Sequence, residues 1–440
     1  LIDVATQIEY AKRGIVTDEM RFVAKNEGVS LNDLRQRIAK GTVIITKNVV
    51  RENVKALGIG EGLRTKVNAN IGTSPDVCDL QLEVEKARVA VKYGADTVMD
   101  LSTAGDLDQI RRAVLKAVEV PVGTVPIYQA AIEAVKKRGA IVDMTEDDIF
   151  NTIEKHAKDG VDFATVHVGI TKKVVERMRD HPRVTGIVSR GGTFLAAWML
   201  HNNKENPLYS NFDYLLELSK KYDLCLSLGD ALRPGCIADS TDEYQIQELL
   251  TIGDLVERAR KANVQTMVEG PGHIPLDQVA ANVQLEKVVC KNAPFYVLGP
   301  LVTDIAPGYD HIVGAIGGAL AGMAGADFLC YLTGAEHLGL PTIADVAEGV
   351  VVTKIAAHAV DIVKFGSKVS YRDRLMAEAR ANLDWLKQIK LSINPEKAKE
   401  VHNRAKSKFG TCSMCGEWCV FKILGNYFKQ PKISKRKQCI

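Results

Sequence analysis

Between residues 66 and 332 the chain repeats one pattern. A short run of apolar or β-branched residues ends in a polar group, and a stretch with helical apolar spacing follows. The runs lie at 67–71, 97–101, 122–127, 163–168, 184–189, 224–228, 264–268, 295–298 and 328–332. Amphipathic stretches such as 79–93, 106–118, 146–159 and 246–262 lie between them. Continuously apolar strands alternating with helices predict a parallel sheet covered on both faces. Eight or nine such units in roughly 270 residues predict an α/β fold, a closed (β/α)8 barrel of TIM type, because an open doubly wound sheet is usually smaller. The expected divisions are a helical and hairpin region at 1–65, the barrel at 66–341, a helical segment at 342–408 and a cysteine-bearing tail at 409–440.

Composition narrows the function classes. Apolar residues make up 46% and charged residues 25% of 440, an ordinary globular balance. A net charge of +3 gives no general electrostatic case for nucleic acid or an anionic membrane as partner. The basic run at 432–437 is expected to be a solvated tail. No stretch of about 18 residues is apolar and free of charge, and residues 1–4 do not resemble a signal peptide, so the expected address is the cytoplasm. Of nine cysteines, Cys412, Cys415 and Cys419 fall within eight residues. In a reducing compartment that grouping points to metal ligands before disulfides.

In a parallel barrel the chemistry gathers at the C-terminal strand ends. Here those ends carry Asn68 and Asn70, Met99 to Thr103, Tyr128 and Gln129, His167, Ser189 to Gly192, Asp230 and Arg233, Glu269 to His273, Tyr296 and Asp304, and Glu336 and His337. A structural barrel has no need for a ring of ionisable groups around one mouth. Gly191, Gly192, Gly270 and Gly272 are expected to let backbone N–H groups approach an anion, with Arg190 and Arg233 adding charge-assisted bonds.

Three closely spaced thiolates leave one iron of a [4Fe–4S] cluster open, as binding of S-adenosylmethionine requires. The competing reading is a zinc knuckle with His402 or Cys439 as fourth ligand. His273 and His337 end different strands and could share a second metal, zinc or another divalent ion. The alternative there is two unrelated hydrogen-bonded histidines.

Along nearly its whole length the chain resembles the ThiC-type phosphomethylpyrimidine synthases and their close relatives, which are radical-SAM carbon–carbon lyases. The resemblance rests on Asn68-Ala69-Asn70-Ile71-Gly72, Met99-Asp100-Leu101-Ser102-Thr103, Gly123 to Gln129 and Val188-Ser189-Arg190-Gly191-Gly192. It also rests on Glu269-Gly270-Pro271-Gly272-His273, Asp304 to His311, Glu336-His337-Leu338 and Cys412-Ser413-Met414-Cys415-Gly416. The resemblance implies 5-amino-1-(5-phospho-β-D-ribosyl)imidazole as substrate, contacted by Asn70, Met99, Tyr128, His167, Ser189, Arg190, Gly191, Asp230, Arg233, Glu269 and Tyr296. It implies zinc on His273 and His337, and a [4Fe–4S] cluster on Cys412, Cys415 and Cys419 serving S-adenosylmethionine. A homodimer is implied too, with the cluster arm reaching a partner's barrel, and an electron donor such as a flavodoxin or ferredoxin.

Some positions depart from the typical family pattern. Ala231 and Ala104 stand where glycine is usual, Gly334-Ala335 replaces a proline-bearing pair, and the second cysteine gap is three residues instead of four. Altered residues at the mouth could redirect a radical fragment, which favours the sister activity, 5-hydroxybenzimidazole synthase of cobamide lower-ligand synthesis, over the thiamin-pathway enzyme. Two other classes compete: a non-catalytic zinc-binding barrel, and a zinc hydrolase built on His273, His337 and Glu269 that has no need of the cysteines.

Overall fold

The computed structural model describes residues 5–425 and 427–428. It has two compact units, Leu1–Lys364 and Phe365–Ile440. The first begins with helices Gln7–Lys12, Asp18–Glu27 and Leu31–Lys40 and an antiparallel hairpin of β1 (Val43–Thr46) and β2 (Leu57–Gly60). Eight parallel strands follow: β3 (Lys66–Ile71), β4 (Thr97–Asp100), β5 (Val122–Thr124), β6 (Phe163–Val166), β7 (Cys225–Leu228), β8 (Thr266–Gly270), β9 (Phe295–Leu298) and β10 (Phe328–Cys330). They close in sequence order, β10 pairing with β3, into the expected barrel. Among the described residues no helix is long and apolar enough to cross a membrane.

Local sequence sets the boundaries. Asp79, Asp106, Thr145 and Asp242 cap their helices, their side chains accepting N–H groups of the first turn. The apolar run at 122–127 is a strand only to Thr124, because Pro126 opens helix Pro126–Arg138, where its fixed φ suits the first turn.

The run at 184–189 is not a strand, which reduces the nine expected strands to eight. The N–H groups of Val184 and Thr185 donate to Asp239, each at 2.9 Å, so no neighbouring strand receives them. Gly186 takes φ +64°, outside the extended region, and Val184 is 77% exposed. Ser189 therefore ends a loop, and caps helix Arg190–Asn202 by accepting from Gly192 N–H.

The N-terminal region closes the lower end of the barrel. Gln7 N–H donates to Asp223 at 2.9 Å, Asn48 N–H to Asp162 at 3.0 Å and Ile45 N–H to Gln265 at 2.7 Å. Access to the interior is left at the opposite end, where the strands terminate.

A cavity at the barrel mouth and a cysteine loop

The upper end of the barrel opens into a cavity of about 500 Å³, counting its open entrance. Strand alternation aims the polar residues into it, since positions two apart share a face. From the expected set, Asn70, Met99, Tyr128, His167, Asp230, Arg233, Glu269 and Tyr296 line it. Ser189, Arg190 and Gly191 are not on the lining but abut it. Ser189 Oγ lies 3.0 Å from His167 Nε2, and the Arg190 guanidinium lies 5.0 Å from the centre of the Tyr128 ring. A Cβ on Gly191 would come within 2.3 Å of the His167 ring, so glycine is required there for the histidine to keep its place.

Two of the other expected glycines likewise meet protein. A Cβ on Gly270 would lie 2.0 Å from the Phe295 ring, and one on Gly192 would meet the Ala231 backbone. Close packing requires glycine at Gly192 and Gly270, whereas a Cβ on Gly272 would meet nothing closer than 3.5 Å.

The cavity is polar and closely bonded. Glu269 Oε1 accepts from Thr165 Oγ1 at 2.6 Å and Ser227 Oγ at 2.7 Å. Asp230 accepts from Arg233 at 3.1 Å. Tyr296 OH accepts from Asn68 Nδ2 at 2.7 Å, and Asn68 Oδ1 accepts from Thr97 Oγ1 at 2.6 Å. Burial raises both Asp230 and Glu269 above the usual carboxylate range, and the Glu269 charge raises Asp230 further. Burial, with Arg233 nearby, holds the His167 imidazole down to about 3, so it stays neutral at ordinary pH. Its Nδ1 is buried without a protein partner, which leaves it available to a ligand.

Sequence reasoning missed Thr165, Ser227 and Cys330. The first two fix Glu269, and Cys330 lines the cavity beside Asn70, whose amide donates to its sulfur at 3.2 Å. Each sits at an inward position of an apolar strand, and the signal was its two-residue spacing from His167, Gly229 or Phe328.

A histidine pair lies above β8 and β10. The rings of His273 and His337 are 5.2 Å apart between centroids. His273 Nδ1 is 2.7 Å from Asp304 Oδ1 and His337 Nδ1 is 2.8 Å from Asp310 Oδ1. With Nδ1 engaged by a carboxylate on both, Nε2 is the free nitrogen of each. That is the arrangement of metal-binding histidines with carboxylate support.

In the second unit the three cysteines lie on one short loop, all as free thiols. Gly416 N–H donates to Cys412 O at 3.1 Å, Trp418 N–H to Cys415 O at 2.9 Å, and Thr411 Oγ1 to Gly416 O at 2.7 Å. Backbone N–H groups of Cys415 and Met414, with the Cys415 thiol, hold the Cys412 thiol below its usual range, towards the thiolate a metal needs. His402 is stacked on Trp385 at 4.4 Å, and Cys439 and the basic run at 432–437 lie outside the described residues. Among the described residues no three His, Cys, Asp or Glu side chains converge as a ready metal cage. The loop thus offers three free thiols, soft donors, within eight residues.

Comparison with known proteins identifies the family. The sequence matches the radical SAM ThiC family over residues 6–426. The chain belongs to that family. It is 60% identical over 429 residues to a phosphomethylpyrimidine synthase of Pyrococcus abyssi, covering 98% of this chain and 100% of that one. One from Thermodesulfovibrio yellowstonii is 60% identical, covering 95% and 98%. One from Methanocaldococcus jannaschii is 58% identical, also covering 95% and 98%. A solved dihydropteroate synthase from Coxiella burnetii is far more remote, at 13% identity and a TM-score of 0.38, covering 68% of this chain and 94% of its own.

These relatives overturn the expectation of 5-hydroxybenzimidazole synthase, since the close relatives across the full length carry the other name. The structure supplies a physical reason. None of Ala104, Ala231 and Gly334 lines the cavity. The Ala231 methyl faces Gly192, neither alanine takes a positive φ, and Gly334 abuts the Gly308 carbonyl. The departures therefore lie off the cavity wall.

Proposed function

We propose that this chain is a phosphomethylpyrimidine synthase, converting 5-amino-1-(5-phospho-β-D-ribosyl)imidazole to 4-amino-5-hydroxymethyl-2-methylpyrimidine phosphate for thiamin synthesis. One observation carries the reading. A small polar cavity at a barrel mouth, with Arg233, two raised carboxyls and a neutral histidine on its wall and Arg190 beside it, sits in a chain similar from end to end to enzymes of that name.

Arg190, at the N-terminus of a 13-residue helix, and Arg233 are suited to the phosphate, where helix N–H groups and guanidinium charge act together. His167 Nδ1, Asn70 and Tyr296 are suited to the heterocycle and ribose. Glu269 and Asp230, with raised affinity for protons, are suited to holding or releasing a proton during the rearrangement.

Cys412, Cys415 and Cys419 would hold the [4Fe–4S] cluster, their thiols being free and closely spaced. When bound, the cluster supplies the electron that cleaves the S–C bond of S-adenosylmethionine. His273 and His337 would hold zinc through Nε2, as their Nδ1–carboxylate bonds favour. A homodimer in which the cysteine loop serves a partner's barrel, reduced by a flavodoxin or ferredoxin, belongs to the same proposal.

The test is anaerobic reconstitution with iron and sulfide, then dithionite, S-adenosylmethionine and the imidazole ribotide, with products identified by mass spectrometry. The phosphorylated aminopyrimidine is expected. With the cluster verified, absence of both this product and 5′-deoxyadenosine overturns the proposal.

A further inference from the structure

Behind β7 and β8, under the helix layer, lies a second chamber. Glu248, Asn282 and Glu286 line it, and it shares Asp230, Arg233 and Glu269 with the substrate cavity. It has room for roughly two water molecules.

Glu286, on helix Leu276–Val289, is fully buried, and neither carboxylate oxygen has an N–H or O–H hydrogen-bond partner. Lys287 Nζ stands 3.8 Å away but donates to Asp327 at 2.6 Å and to Ala293 O at 2.7 Å. Arg260, from the neighbouring helix, donates to Lys291 O and Gly41 O. Asp327 also faces Glu286, and the Cys290 thiol is placed to donate weakly to its carboxylate. Burial pushes the Glu286 carboxyl up to about 8.

Glu248 lies on the way to the cavity. Its oxygens accept Ala231 N–H at 2.9 Å and Leu232 N–H at 2.7 Å, so it grips the loop that carries Asp230. Burial raises it, too, to about 8, with Asp230 and Arg183 as the charges facing it. A buried carboxyl with no stronger donor than a thiol, bordering a polar space of this size, is the kind of group that water satisfies.

We propose that this chamber is a hydrated proton passage, in which Glu286 holds a proton behind the strand wall and passes it by way of Glu248 and chamber water to Asp230 or Glu269. In one transfer the Glu286 O–H breaks and its proton joins a water. That water releases another, and an O–H forms on the receiving carboxylate. No oxidation state changes, and Glu286 is left as a carboxylate to be reprotonated from solvent. The passage rests on the fold; its use in turnover rests on the function proposed above.

Infrared difference spectra of the full chain, free of iron, S-adenosylmethionine and substrate, test the passage directly. A deuterium-sensitive protonated-carboxyl band is expected at pH 7, fading as pH rises through about 8. In Glu286→Gln the Glu286 component, read as the wild-type minus variant difference, is expected to vanish while that of Glu248 remains. In reconstituted enzyme Glu286→Gln is expected to lower kcat about tenfold, to change KM by less than about twofold, and to move the alkaline limb of the pH profile. Should Glu286→Gln not fold, Asn282→Leu removes a polar wall of the same chamber and is expected to give the same kinetic pattern. A missing Glu286 component, or a kcat and pH profile unchanged in the folded variant, overturns the passage. A present Glu286 component with no pyrimidine product from wild-type enzyme overturns the function and leaves the passage standing.

Discussion

At the lower end of the barrel, aspartates that immediately precede strands accept the first N–H groups of their neighbours. Asp96 takes Val67 N–H at 2.8 Å, Asp162 takes Val122 N–H at 2.8 Å and Asp327 takes Phe295 N–H at 3.0 Å. Cations complete all three sites, Lys354 at Asp96, Arg51 at Asp162 and Lys287 at Asp327. At the upper end Glu269 accepts from two hydroxyls and Asp230 from Arg233, and both carboxyls line the cavity. Carboxylates bonded by backbone and cation stabilise a fold, whereas carboxylates aimed into an open cavity are available to a ligand. In a barrel of this type stability gathers at the bottom and chemistry at the top.

The largest effect expected from that contrast is at the bottom. Arg51→Met strands Asp162 without its cation and should cost about 3–5 kcal/mol, read from denaturant unfolding, with activity per folded molecule retained. Arg233→Ala at the mouth should do the reverse. Stability should change by less than about 1 kcal/mol, while kcat/KM falls roughly 100-fold, about 2.7 kcal/mol. If Arg233→Ala unfolds the protein as readily as Arg51→Met, the contrast between the two ends is broken.

The contrast was half legible in sequence. Strand-end residues such as His167, Asp230 and Glu269 stood out because an ionisable group closing an apolar run is conspicuous. Thr165, Ser227 and Cys330 did not, because a small polar residue inside an apolar strand looks the same whether it faces inward or outward. The aspartates before the strands were visible as letters, but the N–H groups they accept belong to strands far away in sequence. The run at 184–189 was misread because apolar periodicity carries no information about Asp239, 50 or more residues later, taking its N–H groups.

Smaller effects sharpen the account. Asp310→Ala removes the carboxylate behind His337 and, for the zinc site proposed above, should weaken binding by about 10–100-fold, measured by competition with a chelator. The smallest effect is a pH slope. Burial raises Asp223, at the bottom, to about 7. A raised carboxyl contributes stability that is full below the ordinary aspartate range and lost as pH rises through about 7. Asp223→Asn should therefore flatten the decline in stability between about pH 4 and pH 7, followed by unfolding midpoints across that range.

Under the proposed function the barrel mouth alone holds the imidazole ribotide. Calorimetric titration of the imidazole ribotide into cluster-free protein tests it most directly, comparing wild type, Arg233→Ala and a variant with Cys412, Cys415 and Cys419 all replaced by serine. The account predicts saturable one-site binding in wild type and in the cysteine variant, and its loss in Arg233→Ala. Binding that survives Arg233→Ala but disappears with the cysteines would contradict it.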